Sequence, residues 1–170
     1  MAFSSAAGDW PCYRGPTHDG VSTDRITRQW TGSATNSLWT VFLTNGLSSF
    51  AVRGGWAYTQ VAGDLDQNGL PHREYCIALS TTNGAMLWST EVECQPLPLR
   101  MYTETGGQLT TDDGPKSTPS LDGDSVYVLS SYLKLWRLNA TNGTVIWSTN
   151  LLVGYGGELI SWKNAASPRG

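Results

Sequence analysis

The fold is decided by two copies of one stretch, Leu138-Asn139-Ala140-Thr141-Asn142-Gly143-Thr144-Val145-Ile146-Trp147 and, 59 residues earlier, Leu79-Ser80-Thr81-Thr82-Asn83-Gly84-Ala85-Met86-Leu87-Trp88. In both copies an Asn-Gly pair follows an apolar run, and its glycine precedes a tryptophan by four residues. Asn-Gly between two apolar runs is a strong signal for a β-hairpin, because it favours positive φ at both central positions of a two-residue turn. The repeat therefore predicts two hairpins of the same kind.

Around each hairpin the pattern extends to a unit of four strands. The predicted strands of the first unit cover about 48–52, 55–62, 73–80 and 85–92, and those of the second cover about 117–121, 124–131, 133–139 and 144–151. Short glycine turns, at Arg53-Gly54 and at Asp122-Gly123, join the first two strands of each unit. A further strand is predicted at 37–43, where Trp39 holds the place of Trp88 and Trp147. Ala166-Ser167-Pro168 matches Ser117-Thr118-Pro119 and predicts the start of a third unit.

Repeating four-stranded units of this length are typical of a β-propeller. The predicted fold is all-β, with two complete four-stranded antiparallel blades and partial flanking strands. The predicted division of residues 1–170 is an N-terminal segment (1–36), a blade at about 37–92, a blade at about 117–151 and the start of the next blade (158–170). Near-continuous apolar runs, such as 75–79 and 126–129, predict strands that are buried on both faces. The three tryptophans are interpreted as packing residues between blades rather than as a ligand-stacking row.

Composition narrows the class of protein. Only 15% of the 170 residues are charged, while the chain has 19 glycines, 8 tryptophans and 7 tyrosines, which favours an all-β protein. The net charge is −3 and no run of Lys or Arg is present, so a nucleic-acid partner is not expected. No apolar run approaches the ~20 residues of a membrane span. Residues 1–10 lack the charged and apolar regions of an intact signal peptide.

The chain has three cysteines, Cys12, Cys76 and Cys94, and neither a CxxC motif nor a His/Cys cluster, so no metal site is predicted from them. Cys76 lies in an apolar run and is predicted to be a small buried hydrophobic residue. Cys12 and Cys94 lie in loop-like contexts, and a disulfide between them stays open for an exported protein.

Residues 9–22 contain two prolines and two glycines in turn-forming contexts, which prevents a regular element. Trp10 and Tyr13 are predicted to anchor this segment to the core. His18, next to Asp19-Gly20, is interpreted as a turn residue rather than a catalytic base.

The first unit carries a ten-residue insertion between its second and third strands. It includes Asp64, Asp66 and Asn68 in a pattern like the first half of a calcium loop, but the twelfth position is Tyr75, and Glu74 is one residue short of it. The favoured interpretation is a polar hairpin tip, with calcium binding left open.

Two long connections, about 93–116 and 153–164, are candidate binding surfaces. The first contains Asp112 and Asp113, which are either polar contacts or part of a solvated turn, and the second contains Tyr155 and Trp162. Asn139 and Asn142 both lie in glycosylation sequons, and whether either is modified stays open.

These motifs carry a resemblance to a known family. The repeat of Thr82-Asn83-Gly84 with Trp88, and of Thr141-Asn142-Gly143 with Trp147, resembles the tryptophan-docking repeat of pyrroloquinoline-quinone (PQQ)-like propellers. The opening Asp9-Trp10-Pro11-Cys12-Tyr13-Arg14-Gly15-Pro16 and the segment 114–128 are also similar to that family. The resemblance covers about residues 9–168. Arg137 departs from it, because the repeat usually has a small apolar residue there.

The resemblance implies more about fold than about activity, because the family includes quinoprotein alcohol dehydrogenases and a periplasmic scaffold of outer-membrane protein assembly. The dehydrogenases need a vicinal Cys-Cys pair, calcium ligands and a catalytic aspartate, and this chain has no Cys-Cys pair. The scaffold type, which the resemblance favours, implies no catalytic, cofactor-binding or metal-binding residues and a periplasmic or secreted location.

Two blades are too few to close a propeller, which needs about 4–8. The chain is therefore expected to be a fragment of a longer propeller or a self-associating unit, with a protein partner or further copies of itself. The predicted function is a non-catalytic repeat module that binds or scaffolds through its inter-blade loops. The alternatives are a structural protein that assembles into a ring or filament, and a part of a quinoprotein dehydrogenase.

Overall fold

The structure is a computed structural model, which describes residues 8–24, 38–65, 71–94, 114–159 and 164–169. Its strands form two four-stranded antiparallel sheets. The first sheet has the order β1-β2-β3-β4, with β1 Ala51–Arg53, β2 Trp56–Leu65, β3 Pro71–Ser80 and β4 Met86–Glu93. The second has the order β5-β6-β7-β8, with β5 Ser120–Asp122, β6 Ser125–Leu129, β7 Lys134–Asn139 and β8 Val145–Asn150. A short helix, α1 Leu151–Tyr155, follows β8. The all-β prediction of two four-stranded blades is confirmed.

The first two strands of the first blade are joined by Gly54 and Gly55, one residue later than predicted. Both glycines have positive φ, 56° and 84°. A two-residue hairpin loop of this kind matches the twist of its strands only when both central residues adopt positive φ, which glycine does without a Cβ penalty.

The Asn-Gly turns differ from the predicted geometry. The loop between Ser80 and Met86 has five residues, and only Gly84 in it has positive φ, 72°; Gly143 repeats this value closely at 73°. The asparagine instead forms an Asx turn, since Asn83 Oδ1 accepts a hydrogen bond from the amide of Ala85 at 3.0 Å. The prediction of positive φ at both positions was wrong, because the asparagine side chain stabilises a longer loop.

The ten-residue insertion lengthens a hairpin. β2 and β3 have ten residues each and remain in register from Trp56↔Ser80 to Leu65↔Pro71, whereas β6 and β7 have five and six. The tip, with Asp66 and Asn68, lies outside the described residues, and so does the Asp64 side chain. Calcium binding there stays a prediction.

The strand predicted at 37–43 is absent from its described part, residues 38–43. Leu38 and Phe42 are 89% and 95% exposed. The segment has no strand pairing in the described residues, although the adjoining Asn45 carbonyl accepts a hydrogen bond from the Ala62 amide of β2 at 2.7 Å. Trp39 and Leu43 are half-buried.

The core lies between the two blades. It joins Tyr58, Cys76, Trp88 and neighbours of the first blade to Leu121, Val126, Val128 and Leu138 of the second. The interior strands are buried on both faces over Cys76–Leu79 and almost throughout β6, as their apolar runs predicted. By contrast, β8 is mostly exposed. Among the described residues, no helix is both long and apolar enough to cross a membrane.

The N-terminal segment lies against the edge strand of each blade. Trp10 exchanges two backbone hydrogen bonds of 2.8 Å with Val52 of β1, and the Pro11 carbonyl accepts one from Leu121 of β5 at 2.8 Å. Trp10 thus anchors the segment as predicted, with its ring against Gly15. Tyr13 does not, because its side chain is 61% exposed.

One hydrogen bond near these edge strands is repeated from blade to blade. The Ser49 amide donates to Thr118 Oγ1 at 3.3 Å, and the Thr118 amide donates to Ser167 Oγ at 2.9 Å. The hydroxyl of Ser117 also donates to the Ala166 carbonyl at 2.7 Å. Ser167 is therefore related to Thr118 as Thr118 is related to Ser49.

Candidate functional site

The two blades dock through a tryptophan and a glycine turn. Trp88 Nε1, on β4, donates to the Ala140 carbonyl of the second blade at 2.9 Å, and its ring lies on Gly143. Trp39 makes the same pair of contacts one unit earlier, donating to the Thr81 carbonyl at 2.7 Å and lying on Gly84. In both cases the accepting carbonyl is three residues before the glycine.

Glycine is required beneath each ring. A Cβ at Gly143 would lie 2.7 Å from Trp88, and one at Gly84 would lie 2.6 Å from Trp39. Both distances are far below van der Waals contact, and both glycines have positive φ. The two constraints together explain why Asn-Gly and tryptophan recur in the sequence as a set.

Tyr58 completes the docking site of Trp88. Its ring centroid is 5.8 Å from that of Trp88 at an interplanar angle of 50°, and its hydroxyl donates to the same Ala140 carbonyl at 3.3 Å. Burial raises the pKa of Tyr58 to about 12, an effect that the nearby positive charge of Arg53 partly opposes. The neutral phenol is therefore the form that holds the blades together.

Alkaline pH is expected to weaken the interface through Tyr58. Below pH 10 the phenol is neutral in both folded and unfolded chains. Between its unfolded value near 10 and its folded value of about 12, the folded chain binds more protons than the unfolded one, so stability falls as pH rises. Urea unfolding from pH 8 to 11.5 measures this, and Tyr58→Phe is expected to flatten the fall at its upper end. An identical slope in Tyr58→Phe would contradict it.

In the second blade, Trp147 and Tyr127 repeat the positions of Trp88 and Tyr58, but no further blade packs on them within the described residues. Trp147 of β8 is 39% exposed, compared with 8% for Trp88. Its ring is 6.2 Å from Tyr127, which repeats the pairing of Trp88 with Tyr58. Val145 and Ile146 beside it are about half exposed. We name this surface, consisting of Tyr127, Val145, Ile146 and Trp147, the β8 face.

Arg137 distinguishes the β8 face from the docked face of the first blade. It lies opposite Trp147 in the β7–β8 ladder, at the place where fully buried Ala78 lies opposite Trp88. Its Nε donates to Ser125 Oγ at 2.9 Å, and its guanidinium carbon lies 6.0 Å from the centre of the Tyr127 ring. The β8 face therefore presents a cation at the ladder position that Ala78 occupies in the docked interface.

Polar contacts join the blades at the other end of β3 and β4. Glu74 and Glu93 are paired across the ladder and are 0% and 6% exposed. Each accepts a hydrogen bond of 3.0 Å from the second blade, Glu74 from the Ser131 amide and Glu93 from Ser130 Oγ. Sequence reasoning considered Glu74 only as a failed calcium ligand, since no local pattern shows a contact 57 residues away.

Comparison with solved structures supports this architecture. The chain superposes on the quinohemoprotein alcohol dehydrogenase from Comamonas testosteroni with a TM-score of 0.53 and 20% identity, covering 95% of this chain and 22% of that one. The fold is that of a PQQ-like β-propeller. This likeness concerns the fold alone, and the chain spans about a fifth of the length of the dehydrogenase.

Two other solved structures are similar at lower scores. BamB from Moraxella catarrhalis has a TM-score of 0.32 and 16% identity, with 66% of this chain and 23% of that one covered. A europium-containing methanol dehydrogenase has a TM-score of 0.36 and 15% identity, with 59% of this chain and 14% of that one covered. No protein-family model matches the sequence, and a search of curated proteins gives no match either.

The three cysteines are all free thiols. Cys12 and Cys94, left open as a disulfide pair, are not joined: Cys94 is exposed, and Cys12 is buried with its Sγ 3.5 Å from His18 Nδ1. Cys76 is fully buried as predicted, and burial raises the pKa of its thiol. His18 lies in a turn as predicted, with φ of 58°, but sequence reasoning missed its contact with Cys12.

The remaining candidate residues of the two long connections either lie outside the described residues or are exposed. Asp112, Asp113 and Trp162 lie outside the described residues, and Tyr155, at the end of α1, is 76% exposed. No group of three or more His, Cys, Asp or Glu side chains suited to a metal occurs in the described ranges. Asn139 and Asn142 use their Oδ1 atoms to accept backbone hydrogen bonds within the turn, and glycosylation at either stays a prediction.

Proposed function

We propose that this chain is a non-catalytic PQQ-like propeller module that binds or scaffolds protein partners, and that its β8 face is the docking surface. The observation that carries the proposal is Trp147. It repeats the position of Trp88, and with Tyr127 it repeats the aromatic pair that docks the first blade, yet it is 39% exposed. An exposed apolar surface of this kind is a common mark of a protein–protein contact.

The two occupied interfaces define what the partner must offer. It needs a glycine with φ near 70°, on which the tryptophan ring can lie, and a backbone carbonyl three residues earlier. Those are the features of another PQQ-like blade, from a longer chain or from a second copy. Arg137 adds a requirement for an acceptor, such as a carbonyl or carboxylate, opposite its guanidinium.

Association through the β8 face is expected to depend on Trp147. The chain has a mass of 18.4 kDa, and light scattering is expected to give a mass that rises above this value with concentration. Trp147→Ala removes the central aromatic anchor and is expected to weaken self-association at least about tenfold, as hot-spot residues do. Phe42→Ala is the matched control, because Phe42 is 95% exposed but outside the β8 face.

Two results would contradict this proposal. A wild-type chain that stays monomeric at high concentration excludes self-association, and equal effects of Trp147→Ala and Phe42→Ala exclude the β8 face as the surface. A single-chain extension that adds one further blade after β8 then tests whether the partner is a blade of a longer chain. It is expected to bury Trp147 and raise the unfolding midpoint.

The second candidate function, a part of a quinoprotein dehydrogenase, rests on the likeness in fold to the Comamonas enzyme. Addition of PQQ and calcium, followed by visible absorption after gel filtration, separates the two. The scaffold proposal expects no retained quinone, and a stoichiometric bound chromophore overturns it. The proposal also locates the protein in the periplasm or outside the cell, which fractionation of the source cells tests.

A further inference from the structure

A cavity of about 270 Å³ lies between the N-terminal loop and the segment that follows the second blade. Its lining combines a thiol, an imidazole, two guanidiniums and two hydroxyl-bearing side chains: Cys12, His18, Arg14, Arg169, Tyr13 and Ser167, together with Pro168. Neither the β8 face nor the blade interface uses any of these residues except Ser167. The cavity is therefore a separate feature of the molecule.

Cys12 and His18 are placed as a thiol and a proton acceptor. Cys12 Sγ lies 3.5 Å from His18 Nδ1 and 3.0 Å from the Gly15 carbonyl. The carbonyl can only accept a hydrogen bond from the thiol, whereas an Nδ1 that carries no hydrogen can remove the thiol proton. A thiol becomes a nucleophile when it is deprotonated, and a neighbouring imidazole is the usual group that promotes this.

The two guanidiniums give the cavity its charge. Arg14 and Arg169 are exposed, and neither forms an ion pair with a carboxylate in the described part of the chain. Asp19 is the nearby negative group, but its carboxylate accepts hydrogen bonds from Thr17 Oγ1 at 2.7 Å and from the Val21 amide at 2.9 Å. Those bonds, led by that from Thr17 and joined by the charge of Arg14, lower the pKa of Asp19.

A smaller cavity of about 160 Å³ also touches Cys12 and His18, on the side of β5. Asp122 is among its lining residues, which include no arginine. A negatively charged ligand is therefore favoured in the larger cavity and disfavoured in the smaller one, so the two openings to the thiol differ in charge.

We propose that Cys12 is a thiol–disulfide exchange site for small disulfides that carry carboxylates, with His18 as the proton acceptor and Arg14 and Arg169 as the groups that attract the carboxylates. The Cys12 sulfur attacks one sulfur of the ligand, a new S–S bond forms, and the ligand's S–S bond breaks. Its second half leaves as a thiolate with the electron pair. Cys12 is oxidised to the mixed disulfide, the ligand disulfide is reduced, and the thiol proton passes to His18 Nδ1 and then to solvent.

The test compares two probes on one thiol. In a Cys94→Ser background, which removes the exposed thiol, and with Cys76 fully buried, only Cys12 is expected to react in the folded chain. Dithiobis(nitrobenzoate) carries two carboxylates, and dithiodipyridine is neutral at neutral pH. The released thiol gives a second-order rate constant for each. The Cys94→Ser chain is expected to release one equivalent of thiol, and the Cys12→Ala variant in the same background is expected to release none.

The arginines are expected to affect only the charged probe. Arg14→Gln with Arg169→Gln is expected to lower the rate with dithiobis(nitrobenzoate) about tenfold at low ionic strength and to leave dithiodipyridine within about twofold, because steering acts on charge. Lys134→Gln is the charge control, since Lys134 lies over Trp136 on β7, and it is expected to change neither rate. His18→Gln is expected to lower both rates.

Specific outcomes would overturn the proposal. A Cys12 that reacts with neither probe until urea is added is a buried structural thiol. Equal losses with both probes in the arginine variant exclude the carboxylate selectivity. An unchanged rate in His18→Gln excludes the imidazole as proton acceptor. Circular dichroism of each variant before labelling, with Arg14→Lys and Arg169→Lys as charge-preserving variants that are expected to restore the rate, separates these results from misfolding.

Discussion

Gly143→Ala is expected to lower the free energy of unfolding by about 2–5 kcal/mol, which is a large part of the stability of a small domain. Two costs combine in this change. The left-handed backbone at φ 73° disfavours alanine, and the added Cβ would lie 2.7 Å from Trp88 and 2.6 Å from Thr90 Oγ1. The ring cannot move away without losing its hydrogen bond to the Ala140 carbonyl.

Gly123→Ala is the matched control, because Gly123 also has positive φ, 48°, but no atom lies within 4 Å of its added Cβ. It is expected to cost only the backbone term, about 1–2 kcal/mol. Urea unfolding followed by circular dichroism measures both. Equal losses in the two variants would show that the Trp88 contact contributes nothing beyond backbone conformation.

Trp88→Ala is expected to cost about 3–5 kcal/mol, as truncations of large buried side chains do. The indole is 8% exposed, packs against Tyr58 and Gly143, and donates to Ala140. Its loss opens the interface between the blades. Because this is the one tryptophan interface that is fully buried within the described ranges, the variant is expected to unfold with much reduced cooperativity.

Trp147→Ala serves as the comparison for Trp88→Ala within the same repeat, since the monomer leaves Trp147 partly exposed. Its cost in dilute solution is expected to stay below about 1 kcal/mol. Trp88→Phe, which keeps an aromatic ring and loses the Nε1 donor, covers the case in which Trp88→Ala does not fold. Equal effects of alanine at 88 and 147 would contradict the docking geometry.

The sequence was sufficient for the blades because their signals are local. Apolar runs, glycine turns and the spacing of Asn-Gly to tryptophan all lie within a few residues, and they located every strand of both sheets to within a few residues. The prediction of a strand at 37–43 was wrong because strand formation also depends on residues far away in the sequence. Its residues suit a strand, but a strand needs a neighbouring edge, and propensity contains no information about that edge.

Contacts between distant residues could not be predicted in the same way. Ser131 with Glu74 and Ser130 with Glu93 join positions that share no motif. The contact of Cys12 with His18 spans six residues, but it depends on positive φ at His18, a conformation that is rare for residues other than glycine. The tryptophan positions were predictable, whereas their acceptor carbonyls became visible only in three dimensions.

The hydrogen bonds from Ser49 to Thr118 and from Thr118 to Ser167 both point toward the C-terminus, because each backbone amide donates to a hydroxyl of the following unit. The tryptophans follow the same sense, since Trp39 and Trp88 each donate forward along the chain. An array of these blades therefore has a direction, like an arrow. Two copies related by a two-fold axis through the β8 face would place Trp147 against Trp147. Both indole N–H groups would then face another donor, and neither would find an acceptor. This geometry thus disfavours symmetric pairing through the β8 face.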